Sequence, residues 1–168
     1  MIMGKILRVN LTTRQITQQP YPEVLARQFM GGAAAAIKLL YDEVDPRVDA
    51  LGPDNKLIAS MGFLAGTSAP ATSRVAFVGK SPLSGTVGYS NSGGYFPNEL
   101  RATGVQAIIV EGKAEAPVYL WIGDDRGRSA TRRTTGGSAP SIRNTTSSRR
   151  CTTAISASRA SGRPASTW

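Results

Sequence analysis

Along residues 5–11 (KILRVNL) the side chains alternate: Ile6, Arg8 and Asn10 fall on one side, Leu7, Val9 and Leu11 on the other, the pattern of a half-buried strand. Thr12, Thr13 and Arg14 predict a turn and residues 15–19 a return strand, so the chain opens with a hairpin. Pro22 suits the first turn of a helix running to about Phe29, with Gly31 and Gly32 ending it. Residues 33–44 (AAAAIKLLYDEV) are strong helix formers, stopped by Asp45-Pro46. Beyond them, apolar runs at 56–61, 74–79, 86–90, 107–111 and 118–122 are separated by Gly and Pro and predict strands, with one short helix at 97–103 (PNELRAT). The stretch 106–111 (QAIIVE) is apolar enough for a fully buried strand. Strands outnumber helices, which predicts an α+β fold on an antiparallel or mixed sheet.

That patterning stops at Asp125. All 11 acidic residues and 11 of the 20 basic ones lie in residues 1–125, so the net charge of +9 belongs to residues 126–168. These 43 residues hold nine Arg, no Lys, Asp, Glu, Leu or Val, and 17 Ser or Thr. Only Ile142, Ile155 and Trp168 are available to anchor a core, so the segment is expected to be disordered: it buries too little apolar surface to offset its ordering entropy. The domain reading is therefore a folded unit at 1–125 and an Arg/Ser/Thr-rich tail at 126–168.

Composition narrows the chemistry further. There is no His, which excludes an imidazole base and His-ligated metals, and the single Cys151 excludes disulfide frameworks and paired-cysteine metal sites. No run reaches the roughly 20 apolar residues of a membrane span. The start of the chain has no signal-peptide core, so a cytoplasmic location is expected.

The runs LGPDNKLIASMGFLAGTSAP (51–70), Arg74, KSPLSG (80–85), SNSGGYF (90–96) and VEGKAEAPVYL (110–120) occur in this order, preceded by GKILRVNLTT at 4–13 and LLYDEVDPRVD at 39–49. Together they resemble the N-terminal domain of the aldehyde ferredoxin oxidoreductases over nearly all of residues 4–125. The resemblance implies a two-sheet base on which a tungsten (or molybdenum) bis-pyranopterin rests, with magnesium between its phosphates and a [4Fe–4S] cluster beside it in the full-length enzymes. It implies oxidation of a small aldehyde to a carboxylate with ferredoxin as electron acceptor, and it is compatible with a homodimer. In such an enzyme the dithiolene sulfurs hold the metal while the protein orients and tunes the cofactor.

Three residues match cofactor-contacting positions of that pattern. Arg74 follows the loop GTSAPATS at the start of a strand, where its planar fork suits a phosphate or carbonyl. Asn91 and Gly93 lie in the glycine-rich turn 90–96, where Asn tolerates a left-handed backbone and Gly permits close approach. The resemblance implies that Asn91 meets the pterin or its magnesium and that Gly93 lies against the pterin. On the residues alone, Arg74 reads as a surface residue and 90–96 as an ordinary turn; the resemblance is what assigns them. Lys80 and Ser81 read as loop structure first. At 31–36 the chain has GGAAAA, where the family often has an Arg and a further Gly, so Ala33 takes no cofactor role. No catalytic residue and no protein metal ligand is expected here. The family's second pterin segment and its cysteine cluster have no counterpart in the sequence, and Cys151 alone cannot hold a cluster, so the chain reads as a fragment, inactive alone.

A second function class rests on the tail: nine Arg without acids would attract phosphates non-specifically. Without RGG repeats and with one aromatic, Trp168, stacking on bases is poor and a nucleic-acid role is disfavoured. The genetic code offers another account. Read one frame over, 161–168 (SGRPASTW) permits Ile-Gly-Pro-Ala-Gly-Glu-His-Leu, and 130–137 (ATRRTTGG) permits Arg-Asp-Ala-Ala-His-Asn-Trp-Gly; both are family-like segments, in one frame and at family-like spacing. A frameshift after Asp125 is therefore the leading reading of the tail. Sequencing the coding DNA from codon 118 past codon 168 should show those third-position bases. Bases that cannot encode the two segments would contradict the frameshift and leave the basic tail genuine.

Overall fold

The computed structural model describes residues 4–116, 118–123, 129–133 and 152–157. Its elements are β1 (Lys5–Asn10), β2 (Gln15–Pro20), α1 (Glu23–Phe29), α2 (Gly32–Glu43), β3 (Lys56–Met61), β4 (Val75–Lys80), β5 (Val87–Ser92), α3 (Phe96–Ala102), β6 (Val105–Glu111), β7 (Val118–Gly123), β8 (Ser129–Arg133) and β9 (Thr152–Ala157). The larger sheet has strand order β2-β1-β6-β3-β4-β5, with β1 and β6 parallel and every other pair antiparallel; the smaller has order β8-β7-β9. The α+β, two-sheet expectation holds, and nearly every predicted strand and helix is present.

Both faces of the larger sheet are covered. On one, Ile6, Ile58, Val78, Ala107 and Ile109 pack against Leu25 and Ala26 of α1 and Ala35, Ala36, Leu39 and Leu40 of α2. On the other, Leu7, Val9, Met61, Val75 and Ile108 pack against Leu100 of α3 and Leu120 and Ile122 of β7. This corrects the half-buried reading of β1: Ile6 and Leu7 point to opposite faces and are both fully buried, because helices cover one side and the smaller sheet the other. Gln106–Glu111 is the buried central strand the sequence suggested, flanked by β1 and β3.

One expectation about a loop is also corrected. The Gly31-Gly32 pair does not end α1. That helix stops at Phe29 with Met30 in the left-handed region as its C-cap, and Gly31 is the N-cap of α2. In the tail, Ser129–Arg133 and Thr152–Ala157 pair with the two edges of β7. Main-chain hydrogen bonding to an open strand edge needs no apolar side chain, and composition alone does not forbid it. The rest of 126–168, Cys151 included, lies outside the described residues. Among the described residues no helix is long and apolar enough to cross a membrane.

Arg8, on the α2 side of β1, is charged yet sits among apolar neighbours, and its partners explain why. Its guanidinium meets Glu43 at the end of α2 through two hydrogen bonds of 2.8 Å and Glu111 of β6 at 3.2 Å. Lys56 of β3 reaches the same two carboxylates at 2.6 and 3.3 Å. Two cations and two anions, each about a fifth exposed or less, thus close over the β1, β6 and β3 ends and tie down the last turn of α2. The hydrogen bond from Arg8 holds the Glu43 carboxyl below the ordinary carboxylate range; burial works against this and Lys56 adds to it. A depressed carboxylate pKa stabilises the fold above the pKa of the unfolded chain, and the contribution fades as pH falls through the folded value. Glu43→Gln should therefore cost about 1–3 kcal/mol at neutral pH, the order of a charge-assisted hydrogen bond. The variant should also show a shallower loss of stability on acidification, as read by urea denaturation at several pH values. Equal stability and the same acid limb would mean the cluster contributes nothing.

Candidate functional site

The end of the sheet opposite this ion cluster is assembled by register. Gly31 forms an isolated bridge with Gly62, just after β3; Met61 pairs with Val75 at the start of β4; and Val75 pairs with Ser92 at the end of β5. The N-terminus of α2, Arg74 and the segment Asn91–Gly94 therefore share one end of the sheet. Backbone, not bulk, lines it. Gly31 sits at φ 75°, and a Cβ there would lie 2.5 Å from the Met61 carbonyl oxygen, so neither the conformation nor the space admits a side chain. Gly62 and Gly94, by contrast, have open space where a Cβ would go. No side chain caps α2, so the first-turn amides of a twelve-residue helix are left for solvent or ligand.

The loop between β3 and β4 is held from several directions. Phe63 packs edge-on against Tyr21, ring centroids 5.7 Å apart. Thr67 and Thr72 both donate hydroxyl hydrogen bonds to the Leu64 carbonyl, at 2.6 and 2.9 Å, and the Gly66 amide donates to Asn98 Oδ1 at 3.0 Å. Ala71, three residues before Arg74, lies at φ 59°. A left-handed alanine costs about 1 kcal/mol or more, so the loop's other contacts must hold it there.

Arg74 and Asn91 meet directly. Arg74 Nη1 donates to Asn91 Oδ1 at 2.9 Å, and Asn91 Nδ2 donates to the Tyr89 hydroxyl at 2.9 Å. All three side chains lie on the α2 side of the sheet, because Asn91 and Tyr89 pair with Ala76 and Val78, and Val78 packs under the helices. Among the described residues no carboxylate lies within 4.0 Å of Arg74, so its charge is held by a neutral amide and not cancelled. Below it, the Ser73 hydroxyl donates to the Gly94 carbonyl and closes the β5–α3 turn onto β4.

Arg74, Asn91 and Gly93, singled out in the sequence, lie at one end of the sheet, but the conformation expected at Asn91 differs. Asn91 is not in a turn: β5 runs to Ser92, and Asn91 is a paired strand residue with ordinary φ. Its side-chain amide is spent on Arg74, next to β4, and on Tyr89, two residues back on β5, so left-handed tolerance plays no part. Gly94 at φ 88°, rather than Gly93, supplies the left-handed residue of the turn; Gly93 lies beside the Ser73 carbonyl, where a Cβ would make contact at 3.4 Å. Tyr89 was missed, although its place two residues before Asn91 on the same strand face was available. Lys80 is structural, as read: its ammonium donates to the carbonyls of Pro46 and Val48 at 2.6 Å each. The Ser81 hydroxyl accepts from the amides of Leu83 and Ser84 at 3.3 Å. Among the described residues no group of three or more His, Cys, Asp or Glu side chains is placed to hold a metal.

The result is an α+β domain whose double-covered mixed sheet ends in a polar, glycine-lined surface beside an arginine that meets no carboxylate among the described residues. Residues 6–154 match the model of the aldehyde ferredoxin oxidoreductase N-terminal domain, and the chain belongs to that family. It is 52% identical over 122 residues to the tungsten-containing aldehyde ferredoxin oxidoreductase of Pyrococcus furiosus and 50% identical over 122 residues to that of Thermococcus kodakarensis. Each alignment takes in 73% of this chain and 20% of the relative, so the chain spans about a fifth of the length of the curated relatives it matches. Among solved structures, the active-site complex BamBC of benzoyl coenzyme A reductase, in complex with 1,5-dienoyl-CoA, superimposes with a TM-score of 0.74 at 32% identity. That match covers 77% of this chain and 20% of the other.

Proposed function

We propose that residues 1–125 form the cofactor-seating N-terminal domain of an oxidoreductase that converts aldehydes to carboxylates and passes the electrons to ferredoxin. The cofactor is a tungsten (or molybdenum) bis-pyranopterin with magnesium, and Arg74, Asn91 and Gly93 are its contacts on this chain. The observation that carries the reading is the Arg74–Asn91 pair at the glycine-lined end of the sheet. An exposed guanidinium without a carboxylate partner among the described residues, uncapped helix amides and bare backbone at Gly62 and Gly94 fit a flat, phosphorylated ligand lying close to the main chain. When bound, the cofactor supplies the two-electron chemistry. The chain's own residues bind and orient it: Arg74 offers its fork to a phosphate, Asn91 fixes that fork, and the turn at Gly93 and Gly94 lets the pterin approach. The sequence has no His and a single Cys, so this chain offers neither an imidazole base nor a cysteine set for a [4Fe–4S] cluster. By itself it is expected to have no aldehyde-oxidising activity. The family model's match runs past Asp125, whereas the curated relatives align over 122 residues; a domain limit near 125 with an out-of-frame tail remains part of this proposal.

A soluble pterin monophosphate, followed by its fluorescence, tests the seat on this chain. Saturable quenching is expected for the parent, with Arg74→Ala weakening it roughly 10-fold or more, as for loss of one charge-assisted phosphate contact. Parent-like affinity in both Arg74→Ala and Asn91→Ala would rule out this end of the sheet as the seat.

A further inference from the structure

A tyrosine on an edge strand is ordinary, since aromatic residues favour strands and half of Tyr89 is open to solvent. Its hydroxyl, however, is engaged where it matters. An asparagine carboxamide has a donor end and an acceptor end, and Asn91 uses both: Oδ1 accepts from Arg74 while Nδ2 donates to the Tyr89 oxygen. With only one end engaged, an exposed carboxamide can swing about its last side-chain torsion, which has broad, shallow wells. With both ends engaged, the torsion has one arrangement that satisfies both partners. The consequence reaches Arg74. Its guanidinium stands at the mouth of a strained loop with, among the described residues, no carboxylate to aim it, and the Asn91 oxygen accepts from Nη1 and orients it. The three side chains form a line from mid-β5 to the start of β4, in which each hydrogen bond sets the direction of the next.

We infer that Tyr89 is a positioning residue: its hydroxyl locks the Asn91 carboxamide, and through it the Arg74 guanidinium, in the orientation that presents the remaining arginine donors to a phosphate-type oxyanion. This rests on the proposed seating of a phosphorylated cofactor at the same end of the sheet. It adds a residue that does not touch that ligand, and it explains why a strand position facing solvent carries a phenol. The phenol's contribution to stability is small, because an exposed hydrogen bond is readily replaced by water.

The test compares the full 168-residue chain with Tyr89→Phe, which removes one oxygen and leaves the ring in place. In the ligand-free protein, NMR of the Asn91 side-chain amide and of Arg74 Nε–H should show both groups moving from the parent shifts and gaining fast motion, with thermal stability little changed. Titration with inorganic pyrophosphate should show Tyr89→Phe binding about threefold to tenfold more weakly than the parent, the scale of one neutral hydrogen bond. An Asn91 amide as ordered in Tyr89→Phe as in the parent would overturn the inference. So would unchanged pyrophosphate affinity in Tyr89→Phe alongside its loss in Arg74→Ala, an outcome that leaves the seat itself standing. Should Arg74→Ala bind pyrophosphate as the parent does, the seat reading fails, and the order of the free carboxamide decides whether Tyr89 positions Asn91.

Discussion

A helix lying across a sheet is free to slide along its own axis unless something fixes its ends, and here α2 is fixed at both. At its C-terminus, Glu43 is gripped by Arg8 and Lys56, with Glu111 completing the cluster. At its N-terminus, Gly31 is drawn against Gly62 so closely that the Met61 carbonyl occupies the place of a side chain. Between the two, Ala35, Ala36, Leu39 and Leu40 sit on the apolar face of the sheet. Apolar packing is non-directional and would tolerate a shift, whereas the ion cluster and the glycine contact would not. That double fixation places the uncapped start of α2 beside the ends of β3 and β5, and so determines what surface the sheet end presents.

The surface so placed is polar but poor in acid–base groups, which suits holding more than reacting. Arg74 is directed by an amide, the neighbouring loop by threonine hydroxyls and Asn98, and the β5–α3 turn by Ser73. The same fold recurs in a reductase complex whose structure carries 1,5-dienoyl-CoA, and the sequence is similar to relatives named aldehyde ferredoxin oxidoreductase. Differently named chemistries occur on one base, and a fold alone does not fix which reaction is run.

Most of the fold was legible because its signals are local. The alternation in β1, the Ala-rich run of α2, the Asp45-Pro46 stop and the apolar QAIIVE strand each report on their own few residues. Where the reading failed, the deciding interaction was distant in sequence. Nothing near residue 91 says that β5 continues until it has paired with Val75, and so Asn91 was assigned to a turn. Glycines 93 and 94 are equivalent on paper; the closure of the turn by Ser73 gives the left-handed conformation to Gly94. Arg8 looked like the solvent face of a half-buried strand until Glu43 and Glu111, 35 and 103 residues away, supplied its partners. The candidate site was legible as a set of residues through family resemblance, but not as a contact: the Arg74–Asn91–Tyr89 line exists only once β4 and β5 are in register.

The central claim is that this base, through Arg74 and Asn91, seats the cofactor of a tungsten oxidoreductase, and exchanging domains tests it most directly. Residues 4–125 would replace the corresponding segment of the Pyrococcus furiosus relative, half of whose residues in that region are the same. The purified chimera's tungsten content would then be measured. The account predicts metal loading comparable to the parent enzyme, and its loss when Arg74→Ala is introduced into the graft. A folded chimera that carries no tungsten, or one whose loading ignores Arg74, would contradict it.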